Sequence, residues 1–292
     1  MRPNTALISL AAFTLISCAP APDRADAPDN TPPQSNISPL SEILVLGDSQ
    51  ISFGAGDAYR RFFSNIDTNC PSLGLDRAPV GTAVVGVRST SLQNWTATDG
   101  PARGVICDVD PKYGVNAGAY GVTSPQRSYV QIGKDPAYPF CQPDKSPLQA
   151  VFDAPGYDPD LVVFAFLGNS FQRWQSADNA RVDWQAARAL IPDDKACVVM
   201  STIPAFKPED NRRSLIAQAN LGNAVRADGR CAFVAGLTPE TLEEFEGNKS
   251  HFRLREDGTV RDPRHPSEAS AARFTQLQTP ALCAAVGRAV LQ

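Results

Sequence analysis

Ser49 is the residue of this sequence that is best placed to act as a nucleophile. It follows the apolar run 43–46 and the pair Gly47-Asp48. A short continuous apolar run is typical of a strand that is buried on both faces of a parallel sheet. A serine at the turn that leaves such a strand lies where open α/β sheets place their ligands, and its hydroxyl can attack a carbonyl carbon. The alternative is a plain turn in which Ser49 caps a helix.

A serine nucleophile needs a base, and the chain contains only two histidines. Asp262 precedes His265 by three residues, so its carboxylate could hold one imidazole nitrogen while the other nitrogen faces Ser49. The alternative is a turn that caps the last helix. His251 has no acidic residue at a useful spacing, and we interpret it as a histidine at the surface or at the edge of the core.

Acyl transfer also requires donors for the negative oxygen of the tetrahedral intermediate. Asn169 follows the third predicted strand, and its side-chain amide could donate one hydrogen bond. The alternative is an asparagine that tolerates a turn. The backbone N–H groups of Ser49 and of the loop after the second strand, at Gly86 or Ser89, could supply the others.

Alternating strands and helices must position these residues. The apolar pattern predicts strands at 43–46, 83–87, 161–166, 197–201 and 231–235, and helices at 55–66, 182–190, 209–227 and 266–290. This alternation predicts an α/β fold, a doubly wound three-layer α/β/α sandwich around a parallel five-stranded sheet.

The segment from about 99 to 155 has many Gly, Pro, Tyr and Asp residues and little periodicity. It predicts a long loop-rich insertion that lines the cleft, or else an irregular surface excursion. Four aromatic residues could stack on sugar rings or be buried: Trp95, Trp174, Tyr113 and Tyr120.

The N-terminal residues indicate export. An apolar run after Arg2 ends in Leu15-Ile16-Ser17-Cys18, and it has the length of a signal-peptide core. The four residues resemble the bacterial lipobox, which implies cleavage after residue 17 and a lipid on Cys18. The alternative is an ordinary secretory peptide. Residues 18–40 lack apolar periodicity and predict a flexible tether before a domain at 41–292. We therefore expect attachment to the cell envelope, on the periplasmic face of the outer membrane in a Gram-negative cell.

The six cysteines that follow Cys18 predict three disulfides in an exported chain. Position in the chain favours Cys70 with Cys283, Cys107 with Cys141, and Cys197 with Cys231. No pair has the close spacing of a zinc site, so no metal is expected. The net charge of −4 and the absence of a basic run argue against nucleic acid as a partner.

The sequence resembles the SGNH hydrolases, also called the GDSL family, over 43–290. Four blocks occur in the family's order: Gly47-Asp48-Ser49, Gly86-Val87-Arg88-Ser89, Leu167-Gly168-Asn169-Ser170 and Asp262-Pro263-Arg264-His265. Gln50 stands where the family name has leucine, and Leu167 and Ser170 replace a glycine and an aspartate of the third block.

The resemblance implies a flavodoxin-like fold and an enzyme without a cofactor. It implies Ser49 as nucleophile, His265 as base and acid, Asp262 as its orienting partner and Asn169 as an oxyanion donor. We expect a serine esterase that hydrolyses short acyl esters, acetyl esters above all, on a carbohydrate of the cell envelope. An O-acyltransferase that uses the same site, and a non-catalytic glycan-binding lipoprotein, are the alternatives. The oligomeric state is left open.

Overall fold

A seven-stranded sheet forms the centre of the protein, in a computed structural model that describes residues 40–107, 119–123, 130–131, 141–153 and 158–291. The strand order is β4-β3-β2-β1-β5-β6-β7. The strands are β1 Glu42–Gly47, β2 Gly81–Gly86, β3 Ala119–Thr123, β4 Val130–Gln131, β5 Leu161–Ala165, β6 Ala196–Met200 and β7 Ala232–Val234.

Five of these strands, β2, β1, β5, β6 and β7, are parallel, and β1 lies between β2 and β5. Val45 of β1 lies opposite Val84 on one side and Val163 on the other. All three side chains are completely buried, as expected for a parallel sheet that is covered on both faces. The predicted five-stranded parallel sheet is therefore confirmed. The carboxyl end of β1 lies beside those of β2 and β5, where the candidate site residues follow.

Helices cover both faces of the sheet. The α-helices are α1 Gly56–Ser64, α2 Ile66–Asn69, α3 Leu92–Thr96, α4 Gly100–Cys107, α5 Pro147–Phe152, α6 Leu167–Ser170, α7 Ala177–Arg188, α8 Pro208–Asp228, α9 Pro239–Phe245 and α10 Glu268–Val290. A π-helical turn, Ile51–Ala55, precedes α1. Short 3-10 helices occur at Pro71–Leu73, Arg173–Gln175 and Lys249–His251.

Alternate residues of β1 divide the core into two layers. Ile43 and Val45 pack with α1, α9 and α10, whereas Leu44 and Leu46 pack with α3, α5, α7 and α8. Successive side chains of a strand point to opposite faces, so one apolar run serves both layers. The result is the predicted three-layer α/β/α sandwich, and it is consistent with the fold of SGNH hydrolases.

Three disulfides link the described residues, and their pairs are those that chain position predicts. Cys70, which follows α2, joins Cys283 of α10 on one face of the sheet, with their Cα atoms 5.3 Å apart. Cys197 at the start of β6 joins Cys231 just before β7. Cys107 at the end of α4 joins Cys141 ahead of α5.

The segment 99–155, which the sequence predicts as a loop-rich insertion, contains two helices and two strands among its described residues. It begins with α4 and ends with α5, and between them β3 pairs antiparallel with β2 and then with β4. Without these two strands β2 would expose a row of unpaired backbone groups at the sheet edge. Their glycine- and tyrosine-rich sequence has too little alternation to predict strands.

The signal segment, Cys18, Tyr113 and the tether up to residue 39 lie outside the described residues, so these predictions remain untested. Each helix in the described part of the chain is too short or too polar to span a bilayer.

Candidate active site

Ser49 lies at the first turn after β1. Ser49 and Gln50 already have helical backbone, and the N–H of Ser52 donates to the Asp48 carbonyl oxygen over 3.3 Å. A residue in the first turn of a helix has a backbone N–H without a partner inside the helix. The half-buried Ser49 therefore presents a hydroxyl and a backbone donor at the same edge of the sheet.

The hydroxyl of Ser49 meets the imidazole of His265 across 216 positions of sequence. Ser49 Oγ lies 2.8 Å from His265 Nε2, and His265 Nδ1 lies 2.7 Å from Asp262 Oδ2. With the carboxylate as acceptor at Nδ1, that nitrogen carries the hydrogen and Nε2 is free to accept from the serine. The three residues that the sequence singled out thus form one continuous hydrogen-bonded chain.

Asp262 is held as a carboxylate by its own turn. Burial raises its pKa, but the backbone N–H of Arg264 and the His265 side chain outweigh burial and leave the pKa below its usual value. The Arg264 N–H donates to Oδ1 over 3.0 Å, and the His265 N–H donates to the same atom over 3.2 Å. Two backbone donors and one imidazole therefore fix both carboxylate oxygens.

The turn that carries His265 is hydrogen-bonded to two other segments of the chain. The Gln50 side-chain amide donates to the carbonyl oxygens of Arg264, over 3.2 Å, and of Ile203, over 3.1 Å. Its oxygen accepts from the Ile203 N–H over 3.0 Å. The N–H of Phe206 in turn donates to the Pro263 carbonyl oxygen over 2.7 Å. Sequence reasoning noted Gln50 only as a departure from the family motif and missed this contact.

Asn169 lies beside Ser49, and its side chain is oriented by the loop that follows β2. Its amide nitrogen donates to the Thr90 carbonyl oxygen over 3.0 Å. An asparagine amide has two hydrogens, so this bond leaves one for a ligand. Thr90 is completely buried, and its hydroxyl donates to the Val87 carbonyl oxygen over 2.6 Å, which closes the loop.

Of the two loop residues proposed as backbone donors, Ser89 lines the cavity around Ser49 and Gly86 does not. Ser89 has a φ of +60°, a left-handed conformation that is uncommon for a residue with a side chain and is often found at functional loops. Gly86 belongs to β2. A Cβ there would lie 2.6 Å from the backbone nitrogen of Ser52, so its glycine serves close packing on the turn of Ser49.

Asp48 lies buried beneath the nucleophile, with 1% of its surface exposed. Burial raises its pKa to about 7, although the backbone N–H groups of Gln50, Asn169 and Gly168 pull it down. Only the Gln50 N–H makes a hydrogen bond of ordinary geometry, 3.0 Å to Oδ1. Oδ2 has no hydrogen-bond partner among the described residues. The carboxyl is therefore easier to protonate than most.

A cavity of about 310 Å³ opens at Ser49. Three of its wall residues, Phe53, Arg88 and Arg264, were not predicted as site residues, because no spacing in the sequence indicates that their side chains face Ser49. The Phe53 ring lies 4.5 Å from the imidazole of His265, between centroids. The described residues of the wall are Ser49, Gln50, Phe53, Arg88, Ser89, Gly168, Asn169, Arg264 and His265.

His251 lies at the edge of the core, which is one of the two positions that the sequence analysis predicted for it. It is buried, stacks on Phe245 at 4.3 Å between centroids, and contacts Ser270 through Nδ1. It also meets an acidic partner that spacing did not reveal, since Nε2 lies 3.2 Å from Glu244 Oε1. None of these residues lines the cavity at Ser49.

The two tryptophans proposed as sugar platforms are completely buried in the core. Trp95 packs near Phe166, and the indole N–H of Trp174 donates to Asp183 over 2.9 Å. Sugar rings therefore cannot stack on Trp95 or Trp174. The alternative prediction, that these side chains are buried, is confirmed. Tyr120 is part of β3, but its side chain lies outside the described residues.

No protein-family profile matches the chain, and no curated protein matches it. Among solved structures, a DUF4886 family protein from Bacteroides uniformis ATCC 8492 is 11% identical, with 83% of this chain and 82% of that chain covered and a TM-score of 0.46. A lipase/acylhydrolase from Enterococcus faecalis is 12% identical, with 84% and 96% covered and a TM-score of 0.42. The C-terminal catalytic domain of peptidoglycan O-acetyltransferase A (OatA) from Streptococcus pneumoniae is 11% identical, with 86% and 94% covered and a TM-score of 0.40. Similarity at this level carries nothing about the activity of this chain, since one fold hosts many functions.

Proposed function

We propose that the protein is a serine esterase of the SGNH type that hydrolyses short acyl esters. The observation that carries the proposal is the chain of contacts from Ser49 Oγ through the imidazole of His265 to the carboxylate of Asp262, at 2.8 and 2.7 Å. These are the distances at which a base can take a proton from a nucleophile and be oriented by an acid.

The proposed reaction has two halves. His265 Nε2 takes the proton of Ser49 as Oγ attacks the ester carbonyl, and Asp262 stabilises the imidazolium. His265 then gives that proton to the departing alcohol. In the second half it takes a proton from the water that attacks the acyl-enzyme, and it returns that proton to Ser49 Oγ as the carboxylic acid leaves. The oxyanion of each tetrahedral intermediate is held by the second amide hydrogen of Asn169 and by the backbone N–H groups of Ser49 and Ser89.

A second, smaller cavity of about 30 Å³ supports a short acyl group. It shares Gln50, Gly168 and Arg264 with the larger cavity. The rest of its wall is apolar at Phe171, Ile203 and Ala205 and polar at Thr202, Asp210, Asn211 and Ser214. Its volume is about that of one water molecule, and a methyl group is of similar size. We assign the acyl methyl to this cavity and the alcohol part to the larger one, which makes acetyl esters the preferred substrates.

The experiment is hydrolysis of p-nitrophenyl acetate by the native protein and its Ser49→Ala variant. We expect the variant to lose at least about 10³-fold in kcat/KM with an unchanged melting temperature, because only the nucleophile is removed. Ser52→Ala is the matched control, since its hydroxyl donates to the Ser49 carbonyl oxygen over 3.2 Å and it does not line the cavity. Equal turnover by Ser49→Ala and the native protein would refute the proposal.

Transfer of the acyl group to a sugar hydroxyl would use the same acyl-enzyme, and an increase in product with added acceptor would identify it. A glycan-binding protein without catalysis would bind glycan and leave Ser49 unlabelled by a fluorophosphonate. The hydrolase is favoured over the latter because a binding protein has no need of the Ser49–His265–Asp262 contacts.

We further propose that Cys18 carries a lipid that anchors the protein to the cell envelope, where acylated carbohydrate is the substrate. The three disulfides of the described residues support an oxidising compartment. Incorporation of labelled palmitate by the native protein and none by Cys18→Ser would support the anchor. Palmitate in neither protein, with both exported, would contradict it.

A further inference from the structure

The cavity at Ser49 is lined by positive charge. Two arginines, Arg88 and Arg264, form part of its wall, and no aspartate or glutamate is among the described residues that line it. This contrasts with the chain as a whole, whose net charge is −4. A concave site of one sign concentrates ligands of the opposite sign.

The two arginines differ in whether a carboxylate side chain neutralises their positive charge. Arg264 lies 3.1 Å from Asp210 in an ion pair and lies over the ring of Phe171. Arg88 forms no ion pair with any described residue, and its Nε atom is buried without a hydrogen-bond acceptor in that part of the chain. A partly buried guanidinium without an anion costs free energy, and an anion bound at the other N–H groups of Arg88 would lower that cost.

Stacking fixes the direction in which Arg88 can bind. Its guanidinium carbon lies 4.0 Å above the centre of the Phe53 ring, so the face of the group is covered. The N–H groups at the edge of a stacked guanidinium remain available, and two parallel N–H groups match the two oxygens of a carboxylate.

The same stack locates the anion within the substrate. The Phe53 ring contacts both Arg88, whose guanidinium carbon lies 4.0 Å from the ring centre, and His265, whose ring lies 4.5 Å away. His265 must deliver its proton to the oxygen of the departing alcohol, so the alcohol part of the ester lies on this side of the nucleophile. The acyl methyl belongs to the smaller cavity, where Arg88 takes no part.

We propose that Arg88 is a specificity-determining residue that binds a carboxylate on the alcohol part of the substrate, so that the natural substrate is an acyl ester of a hydroxy acid such as a sugar acid. This inference rests on the proposed esterase activity and narrows it from any short ester to an anionic one.

The test compares two acetates that differ in one charge, 4-acetoxybenzoate and the neutral 4-acetoxybenzamide. We expect Arg88→Gln to lower the ratio of their kcat/KM values about tenfold or more relative to the native protein, because a charge-assisted pair is lost. Arg88→Lys keeps the positive charge but lacks the paired N–H groups of a guanidinium. Its ratio should lie between those of the native protein and Arg88→Gln. Arg253→Gln is the matched control. Its guanidinium contacts the Phe53 carbonyl oxygen at 3.4 Å but does not line the cavity, and the ratio should change by less than about twofold.

A ratio that stays within twofold of the native value in both Arg88 variants, with both esters still hydrolysed, would overturn the inference and leave the esterase intact. If the native protein hydrolyses neither these two esters nor p-nitrophenyl acetate, the esterase proposal fails, and titration with 4-hydroxybenzoate then tests Arg88 alone. Tenfold weaker binding by Arg88→Gln than by the native protein would support the anion site, and equal binding would overturn it.

Discussion

The side-chain amide of Gln50 donates a hydrogen bond to the carbonyl oxygen of Arg264, so the residue after the nucleophile holds the residue before the histidine. The distance between Ser49 and His265 is thereby set by a contact between their chain neighbours. This contact makes Gln50 a positioning residue and leads to the first prediction.

Gln50→Glu should reduce kcat about tenfold or more with a smaller effect on KM. A carboxylate can still accept from Thr202 and the Ile203 N–H, but it repels the carbonyl oxygen of Arg264, so the turn of His265 moves away. Steady-state kinetics on p-nitrophenyl acetate measures both constants. Gln172→Glu is a matched control on the exposed surface before the 3-10 helix at 173–175, and native kinetics are expected there. Native kcat in Gln50→Glu would show that the contact does not position His265.

Asp262→Asn should lower kcat by about 10³-fold or more while the protein remains folded. An asparagine amide cannot stabilise the imidazolium, and it favours the tautomer whose Nε2 already carries a hydrogen. Because the pKa of Asp262 is held below its usual value, the native carboxylate stays ionised at neutral pH. Stopped assays over a long time course measure the residual rate, and a loss of less than tenfold would remove Asp262 from the proposed mechanism.

Asp48 should make the free energy of unfolding depend on pH. The buried carboxyl binds its proton up to about pH 7, whereas the unfolded chain releases it near pH 4. The native state therefore binds more protons between these values, so stability falls as pH rises from about 4 to 7, by about 4 kcal/mol at most.

Asp48→Asn should remove this component, because asparagine does not titrate and can still accept from the Gln50 N–H. Urea unfolding at pH 4.5, 6 and 7.5 measures the stability difference between the variant and the native protein. We expect that difference to shift in favour of the variant as pH rises. A difference that stays constant across the three pH values would mean that Asp48 ionises in the native state as it does in the unfolded chain.

Gly168→Ala should destabilise the protein by about 1–3 kcal/mol and reduce kcat. An added Cβ would lie 2.6 Å from the Asp48 Oδ2 atom, and relief of that clash moves Asn169 or the turn of Ser49. Gly287→Ala is the matched control, since its Cβ would meet only the end of the Leu73 side chain, at 3.2 Å. Thermal unfolding and steady-state kinetics of both variants test this prediction. Equal stability of Gly168→Ala and Gly287→Ala would contradict the proposed clash with Asp48.

The sequence was informative where one residue type has one physical role. The apolar runs around Val45 and Val163 predicted buried parallel strands because a sheet covered on both faces buries every residue of such a run. With two histidines in the chain, the search for a base was short, and the spacing of Asp262 and His265 selected one of them.

What could not be predicted depends on contacts between distant residues of ordinary type. The bond from Asn169 to Thr90, the amide of Gln50 on Arg264 and the stack of Arg88 on Phe53 leave no local pattern. The strands β3 and β4 were missed because an edge strand draws its stability from the neighbour that it covers rather than from its own alternation.

Mass spectrometry after reaction with a fluorophosphonate shows whether His265 activates Ser49, since the probe bonds to an activated serine hydroxyl. We predict a single adduct on Ser49 in the native protein, and none in His265→Ala, where the base is gone and the hydroxyl remains. An adduct on another serine, or equal labelling of Ser49 with and without His265, would contradict the account.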